Sequence, residues 1–297
     1  MIRKRAACFL CLALLLATGA KGLDIPEQVV AVGRAVGIDV RCSGLLVVGF
    51  DEDSPARDCG IRRGDLIVCV DGQRVEEPGT LRSLLQGKSQ VTVGVCRDCR
   101  EQSFLVALRE DGGVMMLGAN VKTEMAGIGT ITYYDPSTAV FGALGHGITD
   151  ETTAELFPVR DGFICRATVV SADKGKSGQP GMLQGAFDSG DLLGCVTKNT
   201  VCGIFGELYQ PPEGQILTVA DSGEVRCGPA EILCNVEGDR VDAFAVEIQR
   251  VYPLDDGAGR NMMVKVTDPR LLDRTGGIVQ GMSGSPILQD GKLVGAV

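Results

Sequence analysis

The chain has 297 residues, 44% of them hydrophobic, enough for one large folded unit or two smaller ones with apolar cores, which excludes a chain dominated by disorder. Its 38 acidic and 29 basic residues give a net charge of -9 and lie scattered along the sequence. No segment supplies the basic stripe that would neutralise a phosphate backbone, so nucleic acid is excluded as an expected partner.

At the N-terminus, Arg3, Lys4 and Arg5 precede an apolar run from Ala6 to Ala17 and the small residues Thr18-Gly19-Ala20. This pattern predicts a signal peptide or membrane anchor over residues 1–20, and hence export. Two of the 12 cysteines, Cys8 and Cys11, fall in that segment. The other ten are Cys42, Cys59, Cys69, Cys96, Cys99, Cys165, Cys195, Cys202, Cys227 and Cys234. Outside the cytoplasm they are able to pair, and the expectation for them is structural, as disulfides or buried thiols. Cys96 and Cys99 are the single close pair and the chain has one histidine, so no metal is expected.

From Asp24 to Leu108 short apolar runs alternate with glycine turns. Gly44 to Phe50 predicts a buried strand, Asp51 to Arg57 a turn, Ile67 to Val70 a second strand, Asp71-Gly72 a tight turn, and Thr80 to Gln86 a helix. The ordered motifs Ser54-Pro55-Ala56, Cys59-Gly60-Ile61, Gly64-Asp65-Leu66-Ile67 and Asp71-Gly72 resemble the PDZ domains of bacterial proteases. The resemblance implies a PDZ domain over residues 24–108, with Val36, Gly37 and Ile38 in the loop that captures a peptide carboxylate. A peptide or protein C-terminus would then add a strand to the sheet edge. The alternative is a domain that packs on the rest of the chain and only orients or inhibits it.

Arg109 to Gly113 mixes charge with glycine and suits a domain boundary. From Val114 onward the chain reads as mainly β, with runs at Gly127 to Tyr134, Ala139 to Leu144, Phe163 to Val170, Ile216 to Ala220, Val241 to Val251 and Met262 to Thr267. Closed or nearly closed barrels solve the edge problem for many short strands, and residues 114–297 have room for two. Lys174 to Gly178 lacks the glycine-rich lead of a phosphate loop, and Gln179-Pro180-Gly181 stops any following helix, so a hairpin loop is expected there.

The strongest chemical signal is Gly281-Met282-Ser283-Gly284-Ser285-Pro286. A serine among small residues can sit on a tight loop whose N–H groups, those of Gly281 and Ser283, face an oxyanion. A hydroxyl needs a base, and His146 in Leu144-Gly145-His146-Gly147 is the only histidine. Ser285 is the rival nucleophile. The carboxylate that orients the imidazole is left open by spacing among Asp268, Asp150 and Asp188.

The blocks Gly142 to Asp150, Thr267-Asp268-Pro269 and Gly281 to Pro286 resemble the stage-four sporulation protein B peptidase family, whose members join an exported N-terminus, a PDZ domain and a trypsin-like catalytic domain. The resemblance implies a PDZ domain followed by a trypsin-like double β-barrel, with His146, Asp268 and Ser283 as triad. It further implies cleavage of a membrane-held regulatory protein in the forespore intermembrane space, activation of a mother-cell sigma factor, self-processing, and no cofactor. An inactive PDZ scaffold and a serine esterase are the alternatives. Two features depart from the expected pattern. Asp268 lies only 15 residues before Ser283, whereas in the trypsin pattern the aspartate comes well before the serine, and Val297 falls where family members continue through further β structure, so a C-terminally truncated chain is expected.

Overall fold

The computed structural model describes residues 26–176, 178–252 and 261–297, so the targeting segment at 1–20 lies outside the described residues. Strands β1 (Gln28–Ala31) and β2 (Ala35–Phe50) open the fold. Next come α1 (Pro55–Asp58), β3 (Leu66–Val70), β4 (Gln73–Arg74), α2 (Pro78–Leu85), β5 (Gln90–Arg97) and β6 (Arg100–Ala107). A ribbon of β7 (Arg109–Asp111) and β8 (Val114–Met116) leads into β9 (Ala119–Tyr134). Then follow β10 (Val140–Ala143), β11 (Val159–Asp173), β12 (Met182–Thr200), β13 (Gly203–Leu208), β14 (Ile216–Val219), β15 (Gly228–Glu237) and β16 (Arg240–Val251). The chain closes with β17 (Met262–Val266), α3 (Pro269–Thr275), β18 (Pro286–Gln289) and β19 (Lys292–Ala296).

Local chemistry explains many of these boundaries. Ser54 caps α1 by accepting from Arg57 N, and Pro55 occupies the first turn, where its missing N–H costs nothing. Asp71-Gly72 and Asp290-Gly291 hold positive φ at both residues and close the β3–β4 and β18–β19 hairpins. Asp98-Cys99 does the same between β5 and β6, so the close cysteine pair Cys96 and Cys99 is part of a hairpin turn.

The structure is mainly β: all described strands but the β7–β8 ribbon join one continuous hydrogen-bonded sheet, in which β3 to β6 form a small section and most of the other strands a large one, the large sheet. Each has its own apolar interior. Leu45, Val47, Ile67, Leu85 and Val93 fill the small core. The large sheet buries two more: one around Val36, Ile38, Phe141, Leu144 and Ile164, the other around Ile232, Phe244, Leu271, Met282 and Ile287. At roughly 1.5–3 kcal/mol for each fully buried large aliphatic or aromatic side chain, these cores are the main source of stability.

Two 16-residue strands tie the parts together. β2 pairs antiparallel with β9 from Ala35↔Thr130 to Phe50↔Ala119, while its first half also pairs with β11 and its second half with β3. The expectation that Val36, Gly37 and Ile38 form a peptide-carboxylate loop is therefore corrected. They lie inside β2, paired with Arg166, Cys165 and Ile164 of β11 on one edge and with Gly129, Ile128 and Gly127 of β9 on the other. Val36 is 0% and Ile38 4% exposed, so neither edge is open to a peptide strand. Gly37 is needed for a different reason: a Cβ there would lie 2.3 Å from the Phe187 ring that packs over it. β1 and residues 35–42 thus build the large sheet, and the unit with the small core starts near Gly44.

All ten cysteines in the described residues are free thiols; Cys42, Cys165 and Cys234 are buried, while Cys99, Cys202 and Cys227 are exposed. Burial raises the Cys42 and Cys165 thiols and pushes Cys234 up to about 12, which keeps them unreactive. Maleimide labelling of native protein followed by peptide mapping is expected to mark Cys99, Cys202 and Cys227 first. Cys42, Cys165 and Cys234 should label only after denaturation.

Candidate active site

The histidine loop follows β10. Leu144 (φ +73°) and Gly145 (φ +66°) both adopt left-handed conformations, and the Leu144 side chain plugs the first core of the large sheet. That anchored, strained turn leaves His146 exposed at its tip. Asn199 of β12 fixes the far side: its Oδ1 accepts from Ile148 N at 2.9 Å, while Nδ2 donates to Ile148 O at 2.8 Å and Phe157 O at 2.9 Å. His146 Nδ1 lies 3.0 Å from Gly147 O. A carbonyl oxygen can only accept, so the contact is a hydrogen bond in the tautomer with its proton on Nδ1, the one in which Nε2 can take a proton.

The serine loop hangs from the second core of the large sheet. Met282 is 0% exposed and acts as its anchor; Ser283 beside it is half-buried. Gly281 (φ +95°) and Gly284 (φ +92°) supply the bends. At Gly284 no other residue fits, because a Cβ would lie 2.4 Å from Thr130 O and 2.5 Å from Leu144 N. Thr130 Oγ1 donates to Gly281 O at 2.9 Å, Thr130 N donates to Ser283 O at 3.2 Å, and Thr132 Oγ1 donates to Gly284 O at 2.7 Å. The N–H groups of Gly281 and Ser283 have no acceptor among the described residues, which leaves both available to an oxyanion. Ser285 is 0% exposed, and its buried hydroxyl has no partner among the described residues, so it is sealed from substrate.

His146 and Ser283 line one cavity of about 750 Å³, walled by Leu156, Val201, Met262, Val264 and Ile278. No hydrogen bond joins the two side chains directly; such contacts commonly tighten only when substrate is bound. The cavity wall carries no ionisable side chain other than His146 among the described residues.

The candidate carboxylates lie elsewhere. Asp268 caps α3: its Oδ1 accepts from Arg270 N at 2.9 Å, and its Oδ2 accepts from Ala245 N at 3.2 Å and from Arg270 Nη2 at 2.7 Å. The Arg270 guanidinium also reaches Ala243 O and stacks 5.0 Å from the Phe244 ring centroid. Asp150 is 0% exposed and binds Lys122 Nζ at 2.7 Å while capping the turn at Thr152 and Thr153. Asp188 is exposed and accepts from Gly190 N. None of the three is hydrogen-bonded to His146. Thr130, Thr132 and Asn199 are site residues that sequence reasoning passed over. The alternation Thr130-Ile131-Thr132, which puts two threonines on one face of a buried strand, was the available signal.

Arg270 holds the Asp268 carboxyl far below the usual carboxylate range, and the N–H groups of Ala245 and Arg270 add to the effect against the opposing pull of burial. A depressed carboxylate stabilises the fold above its unfolded pKa of about 3.9, and that contribution is lost as pH falls below it. Asparagine retains the cap but not the charge. Asp268→Asn is therefore expected to lower the urea midpoint at pH 7. The gap from wild type should narrow progressively below about pH 4.

A family model described as SpoIVB peptidase S55 matches residues 113–297, and one described as PDZ domain matches residues 46–97. Among solved structures, the PDZ domain of an SdrC-like protein from Listeria monocytogenes is similar at 21% identity, covering 28% of this chain and 90% of that one with a TM-score of 0.25. No curated protein matches the chain. With more than half of its length matched, the histidine and serine loops included, the chain belongs to the SpoIVB peptidase S55 family.

Proposed function

We propose that the chain is an exported serine endopeptidase in which Ser283 is the nucleophile and His146 the general base. The observation that carries this reading is the shared cavity, lined both by His146 and by Ser283, where the N–H groups of Gly281 and Ser283 have no acceptor among the described residues. His146 Nε2 takes the hydroxyl proton as Ser283 Oγ attacks the peptide carbonyl. The developing oxyanion meets the N–H groups of Gly281 and Ser283. The protonated imidazole then gives its proton to the leaving amine, and water hydrolyses the acyl-enzyme by the same steps. No cofactor enters the scheme.

Asp268 is the third member by the resemblance of Thr267-Asp268-Pro269 to the family's aspartate block. In the structure it is held by Arg270, so orienting His146 requires that ion pair to be exchanged for the imidazole. The two cores of the large sheet support a reading as two β-barrel lobes, with His146 carried by one and Ser283 by the other. Family membership supports a proteolytic role in sporulation. The finer reading is cleavage of a membrane-associated regulatory protein between the forespore membranes, leading to mother-cell sigma factor activation, with self-processing. The PDZ match supports capture of a peptide or protein C-terminus at a place other than Val36 to Ile38.

A fluorophosphonate probe with peptide mapping tests the assignment. The adduct is expected on Ser283, absent from Ser283→Ala, and at least about 100-fold slower to form in His146→Ala. Asp268→Asn should label at least about tenfold more slowly; an unchanged rate would leave His146 oriented by Gly147 O alone. Adduct on Ser285 would overturn the nucleophile assignment. A folded, unlabelled wild type would favour a binding scaffold, and turnover of small esters without peptide cleavage would favour an esterase.

A further inference from the structure

We propose that Thr130 is a positioning residue for the reaction, holding the nucleophile loop and the histidine loop in one catalytic geometry; this deepens the serine peptidase reading and rests on it. Thr130 is 1% exposed and touches no substrate cavity, yet each of its polar groups is spent on the site. Its hydroxyl donates to Gly281 O, its N–H donates to Ser283 O, and its carbonyl accepts from Leu144 N at 3.1 Å.

The pattern of these bonds matters. The carbonyls of Gly281 and Ser283 flank the Met282–Ser283 peptide, whose N–H is one of the two proposed oxyanion donors. Glycines at φ +95° and +92° bracket that peptide, so the loop has access to backbone conformations that would turn the N–H away. Fixing the carbonyl on each side removes that freedom before substrate arrives, which is what preorganised oxyanion stabilisation demands. The third bond reaches the other loop: Leu144 is two residues from His146, so the same threonine sets the spacing between base and nucleophile. Thr132 adds a parallel bond to Gly284 O but has no link to the histidine loop among the described hydrogen bonds. The joint role therefore belongs to Thr130.

Valine matches threonine in shape and lacks only the hydroxyl, so Thr130→Val removes the Gly281 bond and leaves both backbone bonds in place. Thr130→Ser keeps the donor. We expect Thr130→Val to lower kcat and the rate of fluorophosphonate adduct formation on Ser283 by roughly 10- to 100-fold, with KM within about twofold. The midpoint of the pH–rate profile should stay at its wild-type value, since no titrating group is altered. Thr130→Ser should react within about threefold of wild type. A Thr130→Val protein that reacts at the wild-type rate, or a Thr130→Ser protein that falls as far as Thr130→Val, would overturn the proposal. Hydrogen exchange on the wild type gives a test that does not depend on the variant folding: the Thr130 and Leu144 amides should exchange as slowly as those of the buried strands. Fast exchange at either in a protein that labels at Ser283 would count against the clamp. A wild type that fails to label at all would instead refute the peptidase reading, and the exchange measurement would still decide the bonding.

Discussion

The pairing of β2 with β9 is the constraint from which the rest of the architecture follows. These two strands pair from Ala35↔Thr130 to Arg41↔Glu124 and again from Leu46↔Lys122 to Phe50↔Ala119, with the register shifting between the two stretches. At one end they pass under the small core through Leu45 and Val47; at the other they enter the first core of the large sheet through Val36, Ile38 and Ile131. A one-residue slip in the first stretch would turn Val36 and Ile38 to the opposite face, so their burial fixes the register there. Because it is fixed, Thr130 arrives at a defined height beside the serine loop, and the chain leaves β9 aimed at β10 and the histidine turn.

The candidate site is assembled from two loops, each anchored in a core of its own. Leu144 fastens the histidine turn to one core and Met282 fastens the serine loop to another. Neither loop is long, and each carries residues at positive φ next to its candidate side chain: Leu144 and Gly145 before His146, Gly281 and Gly284 around Ser283. Such conformations are tolerated because the surroundings over-determine them. Beside the ring, His146 Nδ1 lies within hydrogen-bond distance of the Gly147 carbonyl, a contact that the Nδ1–H tautomer satisfies.

What was legible in the sequence was local. Asp71-Gly72 and Asp290-Gly291 form the tight turns their residues demand, and the glycine-bounded serine and lone histidine do share a cavity, whereas the run Asp51 to Arg57, expected as a turn, ends in α1. What was not legible depends on pairing across long separations. Nothing within Val36-Gly37-Ile38 reveals that β11, more than a hundred residues later, occupies its edge. β12 escaped notice because its exposed, glycine-interrupted run shows no clear alternation. The environment of Asp268 was in part readable: an aspartate before proline, with arginine two residues on and Gly276 after, is a capped helix signal, and α3 is the result. The strand reading of Met262 to Thr267 drew attention away from it.

The passage of β2 through two cores also bears on modularity. A domain that can be exchanged between proteins has its boundary in an exposed linker crossed by few contacts. Here the N-terminal boundary of the small unit falls inside one continuous strand, near Gly44, with Ile67 O only 2.5 Å from where a Cβ would stand. Cutting there would strip the large sheet of a central strand and leave the β9 and β11 edges bare. A truncation at that point would therefore disturb both units, because one unbroken strand serves the small core and the large sheet.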